Sequence, residues 1–191
     1  MPSDAQKDSL RSRVSAARSR VTDGEWSAVS RAMTRSALNF ADARPTATVA
    51  LYASRAAEPE TGELITELAR RGWRVLLPVI RRAVDWAEFG GWDEMAVGWG
   101  GIPQPTGPRL GAPALASASL IFVPCTAIGR DFSRLGTGGG WYDRALLHRT
   151  ADAAVIALVR EADVFDTVPT EPHDVAVDGY ITEAGATFKD S

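Results

Sequence analysis

Scarcity sets the first limits on this chain. Its 191 residues include a single cysteine, Cys125, which excludes an internal disulfide and fits a reducing cytoplasm. The two histidines, His148 and His173, form no zinc-type cluster with that cysteine. No apolar run approaches the roughly 20 residues of a membrane helix, and the N-terminus, rich in Asp, Ser and Arg, lacks the apolar core of a secretory signal. A cytoplasmic protein that does not engage a membrane is expected. The net charge of −3 argues against a general nucleic-acid partner. Neither internal repeats nor low-complexity tracts occur. Lysine is scarce too: Lys7 and Lys189 stand against nineteen arginines.

What remains is an ordinary globular composition, 45% hydrophobic, and long enough for one domain over 1–191 with a substantial core. Charge is unevenly spread. Residues 1–35 hold seven basic side chains against four acidic ones; the totals of 21 and 24 therefore leave 14 basic and 20 acidic residues in the rest. A +3 segment precedes a −6 body. Such a segment could dock on its own acidic domain or hold an anionic ligand there.

Periodicity predicts a helix over 4–20, with Leu10, Val14, Ala17 and Val21 facing the core, and Thr22-Asp23-Gly24-Glu25 opens a second as a capping box, running to about Leu38. The basic helices 1–40 would pack on an α/β body. Strands are expected at 46–52, 73–80, 84–89, 119–123 and 153–159, with a final edge strand at 175–181. Thr61 is a candidate cap for a helix ending at Gly72. Residues 90–113, rich in Gly, Pro and Trp, read as an ordered excursion. Strands alternating with helices imply a mainly parallel sheet covered on both faces, with ligands beyond the carboxyl ends of the strands.

The segment from Arg134 to Arg144 carries the strongest local signal. An apolar strand, a loop carrying Gly136, Gly138, Gly139 and Gly140, and a helix opening at Tyr142 form an arrangement suited to phosphate. Arg134 adds a planar cation, and Asp143 a hard oxygen ligand that suggests Mg²⁺ between itself and a phosphate. Asp174 or Asp178 could join it. Lys7 and Arg11 share a helix face, with Arg18 further along, either as a solvated stripe or as phosphate ligands. Glu58 and Glu60, in the loop after the first strand, could be solvated or could hold the N–H groups of a polar heterocycle. Trp99 and Trp141 are the tryptophans placed nearest a ligand; Cys125 reads as a small buried residue.

Taken in order, Lys7-x-x-Leu10-Arg11, Glu58-Pro59-Glu60-Thr61, Leu77-Pro78, Gly101-Ile102-Pro103-Gln104-Pro105, Phe122-Val123-Pro124 and Arg134-Leu135-Gly136-x-Gly138-x-Gly140-Trp141-Tyr142-Asp143 resemble the 5-formyltetrahydrofolate cyclo-ligase family over nearly the whole chain. The resemblance implies a three-layer α/β/α fold with a mainly parallel sheet, of the sugar-phosphate isomerase and CoA-transferase type. It implies closure of 5-formyltetrahydrofolate, with or without a polyglutamate tail, to 5,10-methenyltetrahydrofolate, using ATP and Mg²⁺ through a phosphorylated formyl group, in a monomer. Lys7, Arg11 and the run Arg134, Leu135, Gly136, Thr137, Gly138, Gly139, Gly140, Trp141 and Tyr142 would bind ATP. Arg134, Tyr142 and Asp143 would be catalytic, Asp143 and Asp174 would hold the metal, and Arg55 and Glu60 would contact the folate. The chain departs from the family pattern at Cys125, Ile128-Gly129 and Trp141.

Overall fold

The computed structural model describes residues 4–81 and 83–189; residues 1–3 and 190–191, at the ends of the expected domain, lie outside the described residues. Helix α1 spans Asp4–Arg18, and its buried stripe is Lys7, Leu10, Val14 and Arg18. Two of the expected apolar positions give way: Ala17 is exposed and Val21 lies past the helix end. Charged side chains take part of the buried face, because each finds a carboxylate across the interface. Helix α2, Asp23–Asp42, opens on the expected capping box, with the Glu25 N–H donating to Thr22 Oγ1 and the Thr22 N–H to Glu25 Oε2 at 2.8 Å. It runs four residues beyond Leu38, burying Met33, Ala37, Leu38 and Ala41.

The remaining elements are β1 Thr48–Ala50, α3 Gly62–Arg70, β2 Arg74–Pro78, β3 Trp86–Glu88, β4 Met95–Val97, β5 Pro103–Pro105, β6 Ala118–Pro124, β7 Ala127–Gly129, β8 Arg134–Leu135, α4 Trp141–Leu146, β9 Ala154–Leu158, β10 Val164–Phe165, β11 Gly179–Thr182 and β12 Gly185–Phe188. The main sheet has the order β12-β11-β9-β6-β1-β2-β3. Its five central strands are parallel, and both edges, β3 and β12, are antiparallel. The fold is thus α/β with a large, mostly parallel sheet.

Burial on both faces explains the near-continuous apolar strands. Along β6, Leu120 and Phe122 join Val49, Leu77 and Ile156 beneath α2 and α3, while Ile121 and Val123 join Ala50, Leu76 and Val155 on the other face. The two outer layers differ in build. The first is two helices; the second is thin, made of a 3-10 turn at Ala112–Ser117, the six-residue α4 and aromatic packing of Trp86 against Trp141. Among the described residues no helix is long and apolar enough to cross a membrane.

Three expectations change here. The final strand is internal, because β12 pairs beyond it. Thr61 makes no cap bond; its hydroxyl donates to the Tyr52 carbonyl at 2.6 Å and accepts the Ser54 N–H, tying the loop after β1 back on itself. The glycine loop also does not follow β6 directly. A hairpin of β7 and β8, extended by β10 into a small sheet, intervenes.

The side chain of Arg18 ties these parts together. Its Nε donates to Asp163 Oδ2 at 2.9 Å, Nη1 to the Ala57 carbonyl at 3.1 Å, and Nη2 to the carbonyls of Cys125 and Thr126 at 3.2 and 2.9 Å. Those acceptors follow β9, β1 and β6, three neighbouring strands, so one guanidinium clamps α1 across the carboxyl edge of the sheet. Asp163 is 2% exposed, and burial pushes its carboxyl up against the pull of Arg18. Removing one partner leaves the other charge buried and alone: Arg18→Met is expected to cost about 3–5 kcal/mol in urea unfolding. Glu67→Gln, at the exposed pair with Arg70, is expected to cost under about 1 kcal/mol.

Candidate active site

A cleft of about 740 Å³ opens at the carboxyl edge of the parallel strands, between their C-terminal residues and α1. Pro78, Tyr52 and Pro124 reach it from the ends of β2, β1 and β6; Lys7, Arg11 and Arg18 reach it from one face of α1. The glycine loop forms another wall. Gly138 and Gly140 sit at φ +101° and +58°, conformations that L side chains rarely adopt. Two arginines hold the loop by its carbonyls: Arg11 Nε donates to Gly136 O at 2.9 Å, and Arg144 Nη1 to Gly139 O at 3.1 Å. The Arg11 guanidinium also packs 3.4 Å from where a Gly138 side chain would begin. Only six helical residues follow, so the dipole expected of a longer helix is small, and positive potential comes from Lys7, Arg11 and Arg134 instead.

Each cation beside the loop is matched. Arg134 is buried and bonds Asp143, whose Oδ1 also accepts the Val175 N–H at 3.2 Å. Lys7, 5% exposed, donates to Glu171 Oε2 at 2.7 Å and to Asp174 Oδ2 at 2.6 Å. The Glu171 N–H bonds the same Asp174 oxygen. Burial opposes charge on Lys7, but its bonds to Asp174 and Glu171 prevail and raise its pKa. Burial likewise pushes Asp174 up, and the Lys7 bond overcomes it, leaving the carboxyl below its ordinary value. The pair is therefore charged at neutral pH. Its stabilisation is present above the ordinary Asp range and is lost as pH falls through the lowered value.

The fit to a divalent cation follows from the remaining oxygens. Among the described residues no three His, Cys, Asp or Glu side chains gather as a metal cage. Asp143 spends only Oδ1 on its partners, and Asp174 uses Oδ2 for both of its short bonds. That leaves Asp143 Oδ2, and Asp174 Oδ1 with only His173 Nε2 at 3.7 Å, outside these hydrogen bonds, and two such oxygens suit Mg²⁺ delivered on phosphate, since that ion keeps several waters and takes few protein ligands. Asp178 is occupied elsewhere, accepting from the Val155 N–H and Arg149.

The structure thus gathers Lys7, Arg11, Arg55, residues 134–143 and Asp174 in one cleft. It does not bring Glu60 there. That residue is exposed, its N–H donates to Ser30 Oγ, and it is not among the cleft-lining residues; Glu58 is, paired to Arg55 Nε at 3.0 Å. Sequence reasoning placed Arg18 only as a basic residue further along the Lys7 and Arg11 face, and it missed Tyr52 and Glu171. The buried role of Arg18 could have been found from its place as the fourth member of the Lys7, Leu10, Val14 stripe, whereas Glu171 has no sequence signal of its own. Four buried polar atoms of cleft-lining residues lack any hydrogen-bond partner: Tyr52 Oη, Tyr142 Oη, Trp141 Nε1 and Arg134 Nε. Buried groups are nearly always satisfied, so these four atoms are the candidate donors and acceptors for whatever the cleft takes up.

Comparison with known proteins adds an independent line. A model described as the 5-formyltetrahydrofolate cyclo-ligase family matches residues 3–183. Over 142 residues the chain is 38% identical to a 5-formyltetrahydrofolate cyclo-ligase of Mycolicibacterium smegmatis, covering 71% of this chain and 73% of that one. Over 175 residues it is 26% identical to a protein of the same name from Haemophilus influenzae, covering 89% and 94%. The solved structure of Aquifex aeolicus 5,10-methenyltetrahydrofolate synthetase superposes with a TM-score of 0.84 at 24% identity, covering 97% and 94%, a likeness of fold.

The loop geometry separates two neighbouring substitutions. A Gly138→Ala side chain would be strained at φ +101° and crowd Arg11, whereas Gly139 faces open space. Isothermal titration with a polyphosphate is expected to show a loss of about tenfold or more for Gly138→Ala, the scale of one to two strained or lost contacts, and little change for Gly139→Ala.

Proposed function

The chain belongs to the 5-formyltetrahydrofolate cyclo-ligase family, and on that premise we propose that its cleft closes 5-formyltetrahydrofolate to 5,10-methenyltetrahydrofolate with ATP, releasing ADP and phosphate. One observation carries the reading: Lys7, Arg11, Arg134 and the glycine loop meet Asp143 and Asp174 in the same cleft, with buried donors left unsatisfied beside them.

The chemistry asks little of covalent catalysis. The formyl oxygen attacks the γ-phosphorus of ATP, and the bond from phosphorus to the ADP oxygen breaks. N10 then attacks the formyl carbon, the carbon–oxygen bond breaks with departure of phosphate, and the N10 proton is released. The task of the protein is alignment and charge neutralisation. Cys125 is no candidate nucleophile: burial pushes its thiol up to about 12. Arg134, already aimed across the loop at Asp143, is suited to the oxygens of the transferred group. Arg11 holds the loop that receives the phosphates. Lys7 is suited to exchange its carboxylate partners for a phosphate oxygen, and Asp143 and Asp174 would hold Mg²⁺ through the oxygens their present hydrogen bonds leave unused. The metal supplies neutralisation of phosphate charge when bound.

The near-ultraviolet absorbance of the methenyl product tests this directly. With 5-formyltetrahydrofolate, ATP and Mg²⁺ the purified protein is expected to generate that band, and omission of ATP to abolish it. Arg134→Gln is expected to lower kcat by about 10²- to 10³-fold, as for loss of one preorganised donor to a developing charge. A folded protein that binds both substrates yet forms no product would overturn the assignment.

A further inference from the structure

The cations suited to phosphate are each held by a carboxylate of the chain itself: Arg134 by Asp143, Arg11 by Asp8 at 2.7 Å, and Lys7 by Glu171 and Asp174 together. Three of these four carboxylates have an evident part. Asp143 and Asp174 keep oxygens suited to a divalent cation, and Asp8 is an exposed residue pairing at the rim. Glu171 is left over. It lines the cleft, the reaction gives it no task, and it occupies the ammonium that a phosphate has to reach.

The two carboxylates on Lys7 differ in what else holds them. Asp174 belongs to a turn closed in both directions: its Oδ2 accepts the Glu171 N–H at 2.7 Å, and its own N–H donates to the Glu171 carbonyl at 3.0 Å. Its side chain is 13% exposed, so backbone and burial keep it in place without help from Lys7. The Glu171 side chain is 34% exposed and is held by the Lys7 ammonium at 2.7 Å, with His173 Nε2 further off at 3.9 Å. When a phosphate oxygen takes Lys7, Asp174 therefore stays and Glu171 loses its counter-ion beside a polyanion. A metal-free polyphosphate then meets negative charge that nothing offsets. The balance is restored when Asp143 and Asp174 hold a divalent cation. Like charges placed side by side in this way discriminate between ligands more than they stabilise any one of them.

We propose that Glu171 is a specificity-determining residue that makes the cleft select a metal-complexed nucleotide over a metal-free one: it holds the place of a phosphate on Lys7 and repels a polyphosphate that arrives without its cation. The assignment rests on the reading of the cleft as a cyclo-ligase site and concerns a residue to which that reading gives no part. Glu171 touches no reacting atom and acts through Lys7 and through the charge it sets beside the phosphates. Selection of this kind has a chemical point. Transfer of a phosphoryl group needs the charge on its oxygens neutralised, so a metal-free nucleotide seated on Lys7 and Arg11 is an unproductive complex. A carboxylate that is mobile and close to solvent turns that complex away before the second substrate is engaged.

Glu171→Gln keeps the shape of the side chain and an oxygen that accepts from Lys7, and removes only the charge. ATP is titrated calorimetrically into each protein twice, once with Mg²⁺ and once with EDTA, at matched ionic strength and without folate, so that binding is read without turnover. In the unaltered protein Mg²⁺ is expected to tighten ATP by about 100-fold, and in Glu171→Gln by about tenfold or less, with the change arising from a tighter metal-free Kd. Glu171→Ala also removes the charge and is expected to tighten metal-free ATP in the same direction, so it carries the test should the first variant fail to fold. A merely structural role, holding the turn to α1, would instead lower the melting temperature and weaken ATP under both conditions. That result, a metal-free Kd unmoved by either substitution, or an unaltered protein with no preference for the metal complex overturns the proposal. The methenyl band is a separate measurement: its absence from a protein that shows the metal preference counts against the cyclo-ligase reading and not against the role of Glu171.

Discussion

The guanidinium of Arg18 is the constraint on which the site depends. A parallel sheet presents its carboxyl edge as a row of loops, and nothing in strand pairing fixes how those loops stand relative to one another. Arg18 bonds carbonyls after two of those strands and a carboxylate after a third. A planar fork of five donors can do this, where a lysine could satisfy fewer partners. Because α1 carries Lys7 and Arg11 on the same side, fixing Arg18 also fixes the distance of those two cations from the glycine loop. The folding energy of one buried pair and the geometry of the cleft are a single quantity seen twice.

The cations of α1 solve an electrostatic problem in both directions. A basic segment on an acidic body was open to two readings, self-docking or ligand binding, and the structure joins them. Lys7 is buried only because Glu171 and Asp174 accept it, and those carboxylates tolerate their positions only because Lys7 is there. A site built to receive a polyanion and a divalent cation is thus kept neutral by its own side chains when neither is present. Ligand entry is then an exchange of partners rather than the burial of bare charge, which costs much less.

Much of this was legible in the residues themselves. The capping box at Thr22 and Glu25 and the apolar runs of β2, β6 and β9 rest on short-range rules of spacing, whereas the meeting of Lys7 and Arg11 with the glycine loop was legible only through the family resemblance. What escaped was non-local. Whether Ala17 or Arg18 faces inward is decided by Asp163, far along the chain. The edge position of the last strand was misjudged because β12, with Gly185 and an exposed pattern, has no apolar run. Glu58 and Glu60 are indistinguishable as letters, and only the turn at Ala57 aims one at the cleft and the other at solvent. Thr61 looks like a cap by type, yet its hydroxyl is claimed by the backbone of the loop after β1.

The same clamp has a consequence for how the protein comes to exist. Its partners are separated by 145 residues, and those of Lys7 by 164 and 167. Along the chain, Arg18 has its first partner in the Ala57 carbonyl, its next in those of Cys125 and Thr126, and its carboxylate only at Asp163, while Lys7 depends on Glu171 and Asp174. Separations of this size make the cleft a feature of high contact order, completed by joining an early helix to late loops and not by any local segment.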